Sequence, residues 1–250
     1  MKKPGIEHLK RLYARLANEE LTVLVGLGLF AASGWAFLAL AWDILEGDTR
    51  AFDSAVLLAF RDSADHALPW GPAWVQEMAR DFTALGSIGV LTVLVLAAIG
   101  YLALAGMRHA ALAVFVAVAT GQLLSTVLKL AFDRARPDLV PHDTIVYTAS
   151  FPSGHSMMAA LTYLTLGALL ARVHKPIRIK IYLLALALLL TVLVGVSRVY
   201  LGVHWPSDVA GGWALGAAWA LLCSLAMRAL QRRGKVEPEV APDSSNTAKT

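Results

Sequence analysis

Long apolar runs separated by short polar stretches dominate the chain, and their lengths predict helices that cross a membrane. A crossing helix takes about 20 mostly apolar residues. Six windows meet or nearly meet that length: Leu21–Trp42, Ser87–Gly106, Ala110–Phe132, His155–Ala171, Ile177–Val196 and Val209–Leu230. The fourth and fifth are short, and Arg172, Arg178 and Lys180 beside them are placed to snorkel to the interface. The expected fold class is all-α, a six-helix transmembrane bundle. The first window is longer than the apolar region of about 7–15 residues in a cleaved signal peptide. It is therefore read as a span, although Ala39-Leu40-Ala41 resembles a cleavage site.

Between the first two windows, Phe52, Val56 and Phe60 recur at helical spacing, and Trp70 and Trp74 suit the headgroup level. The loop 43–86 is accordingly expected to hold short interfacial helices. Residues 1–20 are read as an N-terminal cytoplasmic segment and 21–232 as the membrane domain. Residues 233–250, polar and without an apolar period, are read as a disordered tail. No internal repeat is visible.

Composition agrees with the pattern: 57% of residues are apolar, 16% are charged, and the mean hydropathy is +0.60. The excess of four basic residues fits membrane orientation better than nucleic-acid binding. Lys2, Lys3, Lys10, Arg11 and Arg15 precede the first span, Arg108 joins the second and third, Arg172 to Lys180 join the fourth and fifth, and Arg232, Arg233 and Lys235 follow the sixth. Basic residues collect on the cytoplasmic side. This places both termini in the cytoplasm of a multi-pass protein of the cell (inner) membrane. Cys223, the one cysteine, lies in an apolar run and supports neither a disulfide framework nor a metal cluster. Gly212 and Gly216 suit close helix packing, either inside one bundle or between subunits, which leaves the oligomeric state open.

Three clusters carry candidate chemistry. In the first, Lys129 at the outer end of span three is followed by Arg136 before Pro137. Proline biases Arg136 toward extended backbone. The pair combines a point charge with a planar fork of donors, both suited to phosphate oxygens. The second, Phe151-Pro152-Ser153-Gly154-His155, opens span four. Gly154 lets a ligand approach the backbone, and the helix N-terminus attracts anions. His155 stands beside it, able to give a proton to a leaving oxygen. The third runs from Ser197-Arg198 to His204 and Asp208, with the sixth helix starting near Pro206. Asp208 then lies in the first turn and can reach back to hold one imidazole nitrogen of His204, leaving the other free to attack.

Singly, each group also has a structural reading as an interfacial anchor, a helix cap or a helix-dipole partner. Jointly, Lys129, Arg136, His155, Arg198, His204 and Asp208 all fall at the outer ends of spans three to six. Unrelated anchors would not need to share one face. Three cations at a helix N-terminus make an anion site, and two histidines supply nucleophile and acid.

These residues match K-x6-RP, PSGH and SR-x5-H-x3-D without departure, and over Lys129 to Asp208 the chain resembles the type 2 phosphatidic acid phosphatases. That family also includes bacterial polyprenyl-diphosphate phosphatases, glucose-6-phosphatase and the vanadium haloperoxidases. The resemblance implies that Lys129, Arg136, Ser153, Gly154 and Arg198 bind a phosphoryl group, with His204 as nucleophile, Asp208 as its orienter and His155 as general acid. It implies no metal and no cofactor, and a lipid phosphate as substrate. Taken with the topology, it ranks undecaprenyl diphosphate first, phosphatidylglycerophosphate and phosphatidic acid next, and soluble esters last. Asp81-Phe-Thr-Ala-Leu-Gly-Ser87 also looks like a stretch found before span two in bacterial members, without an assigned role. The competing readings are an anionic-lipid transporter or flippase, and a phosphotransferase using the same groups.

Overall fold

The computed structural model describes residues 4–141, 148–233 and 236, with side chains from residue 20 onward. Eight α-helices and no β-strand occur among the described residues. They are α1 (Pro4–Glu46), α2 (Arg50–Ala59), α3 (Ala73–Ala84), α4 (Ile88–Leu104), α5 (Arg108–Phe132), α6 (Gly154–Val173), α7 (Ile177–Tyr200) and α8 (Pro206–Arg232).

Five helices are long and apolar enough to cross a membrane alone: α5 to α8, and α1 from Glu20 onward. The second expected span is shorter than its window, because α4 has only 17 residues. With α3, from which it is bent by 46°, it reaches spanning length. The bend falls where Ser87 starts a new helix, its Oγ accepting the Val90 N–H at 3.3 Å. The loop 43–86 does hold short helices, α2 and α3. The tail from 233 onward lies, apart from 233 and 236, outside the described residues, as do 142–147.

Helix α6 forms the centre of the bundle. Its residues Met157, Ala159, Ala160 and Leu161 are fully buried, as expected of a helix apolar on every side. Helices α7 and α8 flank it, and α1 packs on α8. The approach of α8 to α6 depends on glycine. A Cβ on Gly212 would stand 2.7 Å from the Ser153 carbonyl oxygen, and one on Gly216 would stand 2.4 Å from that of Met157. The glycine spacing thus serves packing inside the chain. Indole donors close other helix pairs, Trp213 Nε1 donating to Thr191 O at 3.0 Å and Trp219 Nε1 to Ala117 O at 3.1 Å.

Candidate active site

Four helix ends build the site. Lys129 lies in the last turn of α5 and Arg198 in that of α7, while Gly154 opens α6 and Asp208 lies in the first turn of α8. Lys129, Arg136, Gly154, His155, Arg198 and His204 line one cavity of about 880 Å³. Ser153 and Asp208 stand behind it. Ser153 is fully buried, and its Oγ caps α6 by accepting from the Ser156 N–H at 3.5 Å and the Ser156 hydroxyl at 3.0 Å. Its own N–H donates to Asp208 O at 3.0 Å, tying the start of α6 to the start of α8.

The cations are held by carbonyls and hydroxyls. Lys129 Nζ donates to Ala149 O at 2.6 Å, and Arg136 donates from Nε to Thr148 O at 2.8 Å and from Nη1 to Val203 O at 2.6 Å. Arg198 Nη1 donates to Thr83 Oγ1 at 3.0 Å, while its Nε is buried with no partner among the described residues. Thr83 belongs to the stretch Asp81–Ser87. That stretch also supplies Leu85 O, which accepts from Tyr163 OH at 2.8 Å, and Gly86, where a Cβ would lie 3.4 Å from His155 Cβ. The stretch is therefore packed against two of the site residues.

His204 is 1% exposed. Burial, then the positive charges of Arg198, Arg136 and Lys129, hold its imidazole well below the ordinary value, so it is neutral. Burial also lowers Arg136, with Asp208 acting the other way. Asp208 is fully buried and anchors the start of α8, its Oδ2 accepting the Trp205 N–H at 2.9 Å. Its Oδ2 lies 3.5 Å from His204 Nδ1.

Several partners of this site were not singled out from sequence. The Ser150 hydroxyl donates to Asp208 Oδ2 and lies 3.3 Å from His204 Nδ1, bridging the two. Arg134 Nη1 donates to Asp208 Oδ1 at 2.6 Å, and its Nη2 donates to Asp53 Oδ2 at 2.7 Å. Asp53 comes from α2, more than a hundred positions earlier than Asp208. Arg134 sits inside the first cluster, two residues before Arg136, and that proximity was the only sequence signal for it.

The cavity continues as a groove between α4 and α5. Its walls beyond Lys129 include Leu91, Val95, Ile99, Phe115, Val118 and Ala119. A charged head thus opens into an apolar channel.

A family model for the PAP2 superfamily matches residues 110–232. Phosphatidylglycerophosphatase B of Bacillus subtilis is 37% identical over 149 residues, covering 57% of this chain and 70% of the relative. The chain belongs to the PAP2 superfamily. The lipid A 1-phosphatase of Rhizobium johnstonii is 32% identical over 138 residues, covering 51% of this chain and 52% of the relative. Among solved structures, the transmembrane PAP2 type phosphatidylglycerolphosphate phosphatase from Bacillus subtilis superposes with a TM-score of 0.66 at 32% identity. The match covers 83% of this chain and 98% of that one. This PAP2 protein is thus an integral membrane hydrolase of the lipid phosphatase type.

Proposed function

We propose that this protein removes the terminal phosphate of a membrane lipid through a phosphohistidine on His204. The observation that carries the reading is the single cavity in which a neutral His204, three cations and His155 stand at the head of an apolar groove. Phosphatidylglycerophosphate is the first substrate to assay, given the named activity of the Bacillus subtilis relative, with polyprenyl diphosphates and phosphatidic acid beside it.

The lone pair on His204 Nε2 attacks phosphorus in line, and the bond from phosphorus to the lipid oxygen breaks. His155 gives its proton to that oxygen. A water then attacks phosphorus, losing a proton to His155, and the P–N bond breaks to release phosphate and neutral His204. Lys129, Arg136, Arg198 and the N–H groups that open α6 offset the charge on the equatorial oxygens. The orphaned Arg198 Nε supports a bound anion. A buried donor left unpaired costs about 1–3 kcal/mol, and a phosphoryl oxygen is a fitting acceptor.

The basic residues that flank the spans support an outward-facing site, with both termini cytoplasmic. The exposed Trp70 and Trp74 support α2 and the start of α3 lying at the membrane surface. The test of the covalent step is acid-quenched labelling with a substrate carrying labelled phosphorus. Label should be trapped on the protein and lost in His204→Ala, and a His204→Ala protein with normal turnover would sink the mechanism.

A further inference from the structure

Two buried carboxylates share one guanidinium behind the site. Asp53 and Asp208 are both fully buried, and Arg134 lies between them with a side chain 14% exposed. Its fork makes four bonds: Nη1 to Asp208 Oδ1 at 2.6 Å and Ser207 Oγ at 2.8 Å, Nη2 to Asp53 Oδ2 at 2.7 Å and Thr49 Oγ1 at 3.1 Å. Asp53 also grips the first turn of α8 directly, Oδ1 accepting the Ser207 N–H at 2.9 Å and Oδ2 the Ser207 hydroxyl at 2.6 Å. That turn carries Asp208, and His204 lies just before it.

None of Asp53, Arg134 and Asp208 lines the large cavity. Asp53 and Arg134 border a separate one of about 420 Å³, which Arg136 also reaches. A bidentate arginine fixes direction as well as charge. A buried ion pair is a poor source of stability but a strong constraint on geometry, since removing one partner strands the other. The arrangement therefore matches a device that aims Asp208 better than it matches a substrate subsite.

We propose that Asp53, acting through Arg134, is a positioning residue for the catalytic histidine: it locks Asp208 and the first turn of α8 so that Ser150 and Asp208 hold His204 Nδ1. This rests on the reading of His204 as nucleophile. The consequence is that α2 in the first outer loop, far from the three motifs in sequence, is part of the catalytic apparatus.

The experiment uses the full chain in detergent with phosphatidylglycerophosphate in mixed micelles, comparing Asp53→Asn, Arg134→Gln and the double variant. Asn keeps the shape of Asp53 and removes its charge. Each single variant is expected to lower kcat about 10- to 100-fold, the worth of a charge-assisted hydrogen bond, with KM within about threefold. The double variant should be no worse than the poorer single one, because the two act in one chain. The acid limb of kcat/KM adds a readout that packing alone would not move. His204 faces Asp208 on α8, Arg136 in the loop, Arg198 on α7, Lys129 on α5 and His155 on α6. Against that fixed background, loss of the Arg134 cation moves the limb up in pH and loss of the Asp53 anion moves it down.

Losses that multiply in the double variant, or that appear in KM with kcat unchanged, overturn the proposal. If Asp53→Asn fails to fold, Thr49→Val removes one Arg134 bond with little change of shape. It should lower kcat severalfold at constant KM, and an unchanged kcat overturns the proposal equally. His204→Ala in the same assay separates the two readings. An inactive His204→Ala beside a fully active Asp53→Asn removes the positioning role alone, whereas an active His204→Ala removes the nucleophile.

Discussion

Arg136 Nη1 lies 3.2 Å from His204 Nε2. A guanidinium has no acceptor, so it donates, and Nε2 must carry the lone pair. The proton of the neutral ring then sits on Nδ1, facing Ser150 and Asp208. The same contact that assigns the tautomer leaves the lone pair on Nε2 beside Arg136, which is the arrangement the proposed attack on phosphorus requires.

Because burial and cations depress His204, its protonation should not limit the reaction near neutrality. The acid limb of kcat/KM is expected well below about 6.5, the ordinary imidazole value, and Arg136→Gln should move it upward by removing one cation. The sign for stability follows the same linkage. The unfolded chain takes up a proton on His204 as pH falls through about 6.5 while the folded chain does not, so thermal stability in detergent should decline below that pH. A limb centred above 7, unmoved in Arg136→Gln, would contradict this.

His155 is testable through the leaving group. An alkoxide needs a proton as it departs and an activated aryl oxide needs little. His155→Ala should therefore slow an alkyl phosphate by about 100-fold or more, within the usual range of general acid catalysis, and an aryl phosphate far less. Equal losses on the two substrates would remove His155 from the acid role.

Thr83 is the hydroxyl on which Arg198 rests. Thr83→Val keeps the volume and strands the Arg198 Nη1 donor, a loss of about 1.5–3 kcal/mol for a bond to a charged group. If Arg198 binds the phosphoryl group, kcat/KM should fall roughly tenfold to a hundredfold at that energy, and Thr83→Ser should retain activity. Steady-state kinetics on the three proteins decide it, and equal activity in Thr83→Val would free Arg198 from dependence on α3.

These predictions show which parts of the site were legible in sequence. Lys129, His155 and Arg198 sit at helix ends, which are readable from apolar periodicity with Ser153 and Gly154 as punctuation, while Arg136 lies in the loop after α5 and was readable through Pro137 beside it. Asp208 reaching back from the third helical position was readable for the same local reason, and it caps Trp205 as expected. Asp53, Arg134, Ser150 and Thr83 act across separations such as 154 positions for Asp53 to Ser207 and 115 for Thr83 to Arg198. No local pattern encodes such contacts, and a single Asp in an amphipathic outer-loop helix reads as surface. The bend between α3 and α4 was hidden for a different reason: Ser87–Gly106 has the apolarity of one straight span, and the close approach of Gly86 to Val194 on α7, at the bend, is a contact between residues far apart in sequence.

The groove between α4 and α5 supplies a test of the lipid reading that leaves the charged head untouched. Ala119 is an exposed residue on the groove wall, on the face of α5 that also carries Phe115, Gln122 and Lys129. At a rise of about 1.5 Å per residue it lies about 15 Å along the helix from Lys129, well beyond the reach of a phosphate. Ala119→Trp fills the channel at that depth. A long-chain lipid phosphate must then bend aside or leave the groove, so its kcat/KM should fall by tenfold or more, whereas a water-soluble short-chain phosphate ester should react as before. Because the substitution faces the groove, it adds no volume to the core around α6, and melting in detergent should change little. Equal loss on both substrates would mean that Ala119→Trp disturbs the catalytic head. No loss on either would mean that the lipid chain follows another path.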